Sequence, residues 1–219
     1  MAEELTLPLP EPHIGSDEAG KGDYFGYLVV AAVAVTPELA AELTRLGVKD
    51  SKHLSDRRAA ELAQLVRMIC PHEVVRISPA RYNQLYQELG NLNLLLAWGH
   101  ARAIENLIAR VPVPVILSDQ FGDPHYIERS LMQHGRQARL LQTPRAERDP
   151  AVAAASVLAR DVFLATLARL GRQVGVQLPK GAAHVLPTAR RLLAQGGPEV
   201  LGQVAKLHFR TTKQALAGE

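Results

Sequence analysis

Two apolar patterns dominate the chain. Residues 27–35 form an almost unbroken apolar run of strand length, and hydrophobic residues recur near helical spacing over 92–109 and 151–170. The first run predicts a buried strand that forms the second arm of a β-hairpin over residues 14–35. The helical spacing predicts two long helices. Shorter patterns alternate along the rest of the chain: strands at 73–77, 115–117 and 137–141, and helices at 36–46, 56–69, 126–134, 187–196 and 198–204.

Helix start signals support this assignment. Thr36 before Pro37 and Ser78 before Pro79 are typical helix caps, and Ser55 or Asp56 caps the helix between them. The order of elements predicts an α/β fold with a mixed central sheet flanked by helices and a helical C-terminal part. No repeat or boundary is evident, so we expect one domain over residues 1–219, with a loose N-terminal segment at 1–12.

Composition narrows the class of protein. The 219 residues are 47% hydrophobic and 21% charged, which is typical of a soluble globular protein. A net charge of +3 permits a polyanionic partner without requiring one. The single cysteine, Cys70, excludes an internal disulfide and a cysteine-based zinc cluster. The acidic N-terminus does not fit a signal peptide, and the run at 27–35 is too short to span a bilayer. We therefore expect a cytoplasmic monomer with no membrane partner.

A pair of acids precedes the apolar run. Asp17 and Glu18 are followed by the glycine-punctuated basic turn Gly20-Lys21-Gly22. Neighbouring side chains of a strand point to opposite faces, so the pair serves one site only if the chain bends or a cation is approached from two directions. Carboxylates beside backbone amides and a lysine suit a divalent cation that holds a phosphate. A solvated hairpin is the alternative.

Two further acids fall at the ends of apolar elements. Asp119 ends the predicted strand at 115–117, and Glu147 and Asp149 precede the long helix at 151–170. Active sites of open α/β sheets tend to lie at such strand ends. Taken singly, Asp119 could instead cap a turn, and Glu147 could be a first-turn acid that interacts with the positive end of the helix dipole.

Several multi-residue motifs, taken in order, resemble one family. The segment from Gly15-Ser16-Asp17-Glu18 through Gly26, followed by 47–52, resembles the type 2 ribonucleases H, which comprise ribonucleases HII and HIII. The later motifs are similar to the HIII branch, namely 91–100 with Trp98-Gly-His100, Asp119-Gln120-Phe121, Arg145-Ala-Glu147 with the alanine-rich run to Ser156, Leu178-Pro179-Lys180-Gly181, and Lys206-Leu207-His208-Phe209. The resemblance covers about residues 13–213.

The resemblance implies a ribonuclease H-like fold and hydrolysis of RNA paired to DNA, by an endonuclease that leaves 5′-phosphomonoesters. It also implies a site of four carboxylates holding two Mg²⁺ or Mn²⁺ ions. Carried over by position, the four are Asp17, Glu18, Asp119 and Glu147. Asp149 is the alternative for the fourth, because the branches differ in the spacing of this acid.

The same resemblance suggests which residues bind the substrate. Gly20, Lys21 and Gly22 resemble the turn whose backbone contacts 2′-hydroxyl groups in ribonuclease HII. Ser51 and Lys52 would hold a backbone phosphate. The remaining candidates are Asn91 and Asn93, which could equally cap the long helix, and four residues that lie either along a nucleic-acid track or on a solvated face: Lys180, Lys206, His208 and Lys213.

Two departures from the family keep rival functions open. Members of the HIII branch usually carry an extra N-terminal substrate-binding domain, and few residues precede the first motif here, which predicts a naturally short form or a truncated chain. Ribonucleases HII use a tyrosine of the C-terminal half, and the last tyrosine here is Tyr126. The rivals are cleavage at single embedded ribonucleotides as in HII, a weakly catalytic hybrid-binding protein, and a metal-dependent phosphatase of small substrates.

Overall fold

The computed structural model describes residues 7–49, 51, 54–120, 123 and 125–217. Its sheet contains the strands β1 (His13–Ala19), β2 (Leu28–Val35), β3 (His72–Ile77), β4 (Val115–Asp119) and β5 (Arg139–Thr143). The strand order is β3-β2-β1-β4-β5. β1 pairs with β4 in parallel, and β4 pairs with β5 in parallel. β1 is therefore the central strand, with neighbours on both sides.

Helices occupy most of the remaining described chain. They are α1 (Pro37–Arg45), α2 (Asp56–Ile69), α3 (Pro79–Leu89), α4 (Leu92–Ile108), α5 (His125–Ser130), α6 (Pro150–Val174), α7 (Leu186–Val204) and α8 (Arg210–Leu216). The side chains of Thr36, Ser55 and Ser78 each accept a hydrogen bond from the amide three residues further on. These caps confirm the predicted starts of α1, α2 and α3. The predicted sheet with flanking helices and a helical C-terminal part is confirmed as well.

The predicted helix at 126–134 is wrong at its C-terminal end. α5 ends at Ser130, because the buried carboxylate of Glu105 accepts hydrogen bonds from the backbone amides of Met132, His134 and Gly135 at 2.6, 3.1 and 2.8 Å. These bonds replace the helical ones and lead into a 3₁₀ turn over Gly135–Gln137. The following strand, β5, consequently begins two residues later than predicted.

The chain folds into two compact units. The first comprises residues 1–18, 30–75 and 93–161, and the second comprises 19–29, 76–92 and 162–219. In the first unit, Leu9, Val115, Leu117, Ala146 and Val152 form a buried cluster. The second unit contains the glycine-rich turn after β1, α3, the second half of α6, α7 and α8.

α6 is the longest described helix. By length and hydropathy it could cross a membrane, but 67% of its most apolar stretch is buried inside the protein, as in a core helix. Its first turn lies directly against β1: a Cβ placed on Gly15 would lie 2.3 Å from the Val152 backbone nitrogen. Only glycine fits there, so the sequence allows β1 and α6 to approach closely.

Candidate active site

Asp17 and Asp119 occupy matching positions on two neighbouring parallel strands. The β1–β4 register pairs Ser16 with Ser118, and the two aspartates follow directly. Matching residues of parallel strands point to the same face, about 4.8 Å apart in the hydrogen-bonding direction. The fold thus brings together two acids that are 102 positions apart in the sequence.

Alternate residues of β1 contact different helices. A Cβ on Gly15 would meet Ala151 and Val152 of α6, and Asp17, which points the same way, is hydrogen-bonded by Ser156 of α6. Ser16 and Glu18 point the other way, and both are bonded by His100 of α4. The strand continues through both acids without a bend. Of the two arrangements considered from the sequence, the bend is not seen in the strand, and approach of a cation from two directions stays a prediction.

The Asp17 carboxyl group is crowded by other negative charges. Burial, and after it the negative charges of Glu18 and Asp119, raise the pKa of Asp17 well above its ordinary value. The Ser156 hydroxyl opposes this shift by donating to the carboxylate, and so does the Glu18 backbone amide, which donates to Asp17 Oδ1 at 2.8 Å. The three acids therefore lie close enough to affect one another electrostatically.

Glu18 is held by a buried histidine. His100 is fully buried in α4. Its Nε2 lies 3.1 Å from Glu18 Oε2, and its Nδ1 lies 3.0 Å from Ser16 Oγ. A carboxylate only accepts hydrogen bonds, so Nε2 carries the donated proton, while Nδ1 meets the serine hydroxyl, which can accept or donate. One side chain thereby joins two residues of β1 to α4.

Glu147 lies on a short turn that is attached to Asp119. The turn is a 3₁₀ helix over Ala146–Arg148, and the Ala146 amide donates to Asp119 Oδ1 at 3.4 Å. Arg145, just before the turn, has a left-handed φ of 60°, which is uncommon for a residue with a side chain. Glu147 itself is half-buried. The turn thus connects the end of β4 to the fourth predicted acid.

Asp149 has a different environment from Glu147. It is fully buried, and its Oδ1 accepts from His13 Nε2 and from the Ala151 amide, each at 2.8 Å. Its Oδ2 accepts from the Leu9 amide at 3.1 Å. The Asp149 carboxylate therefore joins Leu9 and the first residue of β1 to the start of α6.

Ser51 is also turned inward. It is 6% exposed, and its Oγ lies 2.7 Å from Ser156 Oγ, the same hydroxyl that supports Asp17. Its carbonyl accepts from Arg160, whose guanidinium also pairs with Asp56 at 2.7 Å. The hydroxyl of Ser51 thus contacts Asp17 indirectly, through Ser156. The predicted contact of Ser51 with a phosphate stays a prediction. Lys52 lies outside the described residues.

The glycine turn belongs to the second unit, and its two glycines differ. Gly20 has a φ of +88°, and a Cβ there would lie 2.2 Å from the Tyr27 carbonyl oxygen, so folding alone requires a glycine. Around Gly22 the space is open within 4 Å. Lys21 between them is half-buried. The turn therefore offers unobstructed backbone at Gly22, as close approach of a ligand requires.

The other predicted substrate residues fall into two groups. Lys180, His208 and Lys213 are exposed, and Asn91 and Asn93 are half-buried at the start of α4. None of these placements tests a role in binding.

Lys206 does not lie on a surface, and its predicted place on a nucleic-acid track or a solvated face is wrong. Its side chain is fully buried, with Nζ donating to the carbonyl oxygens of Asp23 at 2.9 Å and Gly26 at 2.8 Å. Burial lowers the pKa of Lys206 to about 7, although the charge of Asp23 acts in the opposite direction.

The acids suit a hard divalent cation by their chemistry. Asp17, Glu18 and Asp119 offer only oxygen donors, the preferred ligands of Mg²⁺ and Mn²⁺. A cation among them would offset the mutual repulsion that raises the pKa of Asp17. Within the described part of the chain, no three His, Cys, Asp or Glu side chains already converge on one point. Shared binding of an ion would therefore require side-chain rotation at the strand ends.

Comparisons with known proteins identify the family of the chain. Residues 14–212 match the family model of ribonuclease HII. The chain is 43% identical over 201 residues to the ribonuclease HIII of Protochlamydia amoebophila, covering 91% of this chain and 67% of that protein. It superposes on a crystal structure of Bst-RNase HIII in complex with Mn²⁺ with a TM-score of 0.87 and 37% identity, covering 95% and 70% of the two chains.

A ribonuclease HII gives a weaker match. The Archaeoglobus fulgidus enzyme, solved in a complex with PCNA, superposes with a TM-score of 0.72 and 31% identity, covering 89% of this chain and 93% of that one. Fold and site together thus define a nuclease of the ribonuclease H class, and the predicted fold is confirmed. The chain belongs to the ribonuclease HII family and, within it, to the ribonuclease HIII branch. It is a ribonuclease H, a hydrolase.

The sequence-based reasoning assigned no role to Ser156 or His100, the two side chains that hold Asp17 and Glu18. Both lie in quoted motifs, but as single polar residues on buried helix faces. A single polar residue on an otherwise apolar helix face could have indicated this role, because a buried polar group requires a hydrogen-bonding partner.

Proposed function

We propose that this hydrolase is an endonuclease of the HIII type that cuts the RNA strand of RNA/DNA hybrids with two bound divalent ions, Mg²⁺ or Mn²⁺. One observation carries the proposal: Asp17 and Glu18 are held from opposite faces of β1 by the side chains of Ser156 and His100. Serine and histidine orient a carboxylate without the permanent positive charge of lysine or arginine. The negative charge of the pair is thereby kept for a cation.

Divalent ions bound at these acids would supply hydroxide near neutral pH and stabilise the leaving 3′-oxygen of the cut strand. The protein's part is to orient the ligands. Asp17 and Asp119 end up side by side through the β1–β4 register, and Glu18 reaches the same strand end from the other face. The Mn²⁺ complex of Bst-RNase HIII, which is 37% identical, supports the assignment of a divalent metal.

Glu147 is the fourth carboxylate in this proposal. Its turn is attached to Asp119 through the Ala146 amide, whereas both oxygens of Asp149 accept hydrogen bonds from the scaffold. A carboxylate already bonded to three protein donors has little capacity left for an ion. The contacts therefore favour Glu147.

The glycine turn that follows Glu18 in the sequence would distinguish RNA from DNA. The 2′-hydroxyl group is what separates the two nucleic acids, and it both donates and accepts hydrogen bonds. The open space around Gly22 would let the backbone approach a ribose closely. Ser51, Lys52, Asn91, Asn93 and Lys180 remain the proposed contacts with the rest of the substrate.

A gel assay tests the proposal. A labelled RNA strand paired to DNA is incubated with the protein in Mg²⁺ or Mn²⁺, beside single-stranded RNA and duplex DNA. We expect internal cuts in the hybrid alone, which stop when EDTA is added. The Asp119→Asn variant removes one ligand charge and should lose activity by orders of magnitude at an unchanged melting temperature. Hybrid binding without cleavage would favour the rival, a catalytically weak binding protein.

A further inference from the structure

His100 connects Glu18, one of the two adjacent acids, to α4. Its ring nitrogens bond Ser16 Oγ at 3.0 Å and Glu18 Oε2 at 3.1 Å, with the ring fully buried. The two partners stand two residues apart on β1 and point to the same face. The ring therefore fixes both its own orientation and the position of the carboxylate.

We propose that His100 is a positioning residue for Glu18 that sets the affinity of the protein for its divalent ions. This inference rests on the proposed function, because it concerns the same ions. Glu18 has rotatable bonds that leave its carboxylate several positions at the strand end. The Nε2 donor restricts these positions before any ion arrives, so less side-chain freedom is left to be lost on ion binding.

Ser16 completes the arrangement. Its hydroxyl lies 3.0 Å from Nδ1, so the ring is held at one nitrogen while the other, Nε2, faces Glu18. Loss of a residue that orients a metal ligand typically lowers metal affinity by about 10- to 100-fold.

The experiment measures Mn²⁺ binding to the purified metal-free protein by calorimetry, and independently by the loss of the free-ion signal in electron paramagnetic resonance. The variants are His100→Leu, His100→Gln and Ser16→Ala. Leucine fills the buried space without a donor, whereas glutamine retains an N–H group that can reach Glu18. We expect a loss of roughly 10- to 100-fold in affinity for the leucine variant. The loss should be smaller for the alanine variant and largely restored for the glutamine variant.

A matched control separates positioning from general stability. His13 is a second fully buried histidine that bonds a carboxylate, Asp149, outside the proposed set of ligands. His13→Gln should lower the melting temperature while leaving Mn²⁺ affinity unchanged. In the cleavage assay, His100→Leu should raise the Mn²⁺ concentration needed for half-maximal rate more than it lowers kcat at saturating Mn²⁺.

Two results would overturn the inference. One is a His100→Leu protein that binds Mn²⁺ within twofold of the wild type, and the other is a His13→Gln protein that loses as much affinity as His100→Leu. If the leucine variant does not fold, the affinities of His100→Gln and Ser16→Ala for Mn²⁺ test the inference instead. The inference would be contradicted if Ser16→Ala bound Mn²⁺ as tightly as the wild type while His100→Gln lost tenfold or more in affinity. A wild-type protein that binds no Mn²⁺ would instead reject the proposed function.

Discussion

His13 Nε2 lies 2.8 Å from Asp149 Oδ1, and neither side chain is exposed to solvent. The other ring nitrogen, Nδ1, lies 2.7 Å from the Glu11 carbonyl oxygen. Both partners are acceptors, so both ring nitrogens donate and the ring is charged. Burial alone would lower the pKa of His13, but the hydrogen bond and charge of Asp149 outweigh it and raise that pKa. Asp149 is thus the anion of a buried ion pair.

This ion pair allows an experiment to distinguish the role of Asp149 from that of Glu147. Asp149→Asn removes the negative charge and turns one of the two acceptor oxygens into a donor, and breaking a buried ion pair costs about 3–5 kcal/mol. We expect this variant to have a lower free energy of unfolding but to keep activity at a temperature where it is folded. Glu147→Gln should keep the free energy of unfolding of the wild type but lose activity. Urea unfolding and cleavage in Mg²⁺ measure both. If Asp149→Asn is folded and inactive while Glu147→Gln is active, Asp149 is the fourth carboxylate.

The lowered pKa of the buried Lys206 leads us to expect that the stability of the protein depends on pH. Its pKa is about 7 in the folded protein and near 10.4 when unfolded, so between these values the unfolded chain binds the additional proton. The contribution of Lys206 to the free energy of unfolding therefore rises with pH in this window, by at most about 1.4 kcal/mol per pH unit.

Urea unfolding from pH 7 to 9.5 measures this contribution as the difference between the wild type and Lys206→Met, which has no titrating group. The difference should grow in favour of the wild type as the pH rises. Lys213→Met, which changes an exposed lysine, should follow the wild type. Parallel pH profiles for the wild type and Lys206→Met would contradict the lowered pKa.

Hybrid binding should depend steeply on salt. Each phosphate that a lysine or arginine neutralises adds about 0.9 to the log–log slope of affinity against salt on B-form duplex. If Lys180 contacts a phosphate, Lys180→Gln should reduce that slope by nearly one. Arg57→Gln, which changes an exposed arginine paired with Glu61, is the matched control and should leave the slope unchanged. Fluorescence anisotropy between 50 and 300 mM salt measures the affinity. An affinity that does not change with salt would show that phosphate contacts do not hold the substrate.

Substrate choice should follow the HIII branch. A lone ribonucleotide in DNA offers one 2′-hydroxyl, and recognition there also needs a contact with the neighbouring deoxyribose. In the sequence, no tyrosine follows Tyr126, and Phe163 is buried beneath Gly20 and Gly26. We expect efficient cutting within runs of several ribonucleotides and slow cutting at a single one. Equal initial rates on the two substrates, in the same salt and metal, would favour activity of the HII type.

Local signals in the sequence predicted the elements well. The caps of α1, α2 and α3 depend on one side chain and an amide three residues away, so short patterns suffice to find them. The break in α7 at Gly196 and Gly197 is local too, since Gly197 adopts a φ of +67°. α8 was not predicted: it has only seven residues, and the residue at its N-cap position, Phe209, makes no side-chain capping bond.

Contacts over long sequence distances account for the errors. Glu105 ends α5 from a position in α4, and no pattern within 126–134 could show this. Lys206 in a polar motif is typical of a surface residue, yet its acceptors lie 180 or more residues earlier in the chain. The acids were singled out from their places at the ends of apolar elements, and the family motifs then assigned them to one predicted site. The partners that hold two of them, Ser156 and His100, depend on packing that the sequence does not display.

The bond between the Leu9 amide and Asp149 Oδ2 fixes the backbone a few residues ahead of β1. A polypeptide joined through a linker directly ahead of Leu9 would therefore be tethered to a fixed point close to β1, and its reach would depend on the length of that linker. A nucleic-acid-binding module fused there would experience an effective concentration that the linker can tune, up to the millimolar range for short flexible linkers. Leu9 is thus a natural place from which to engineer processive variants of this nuclease.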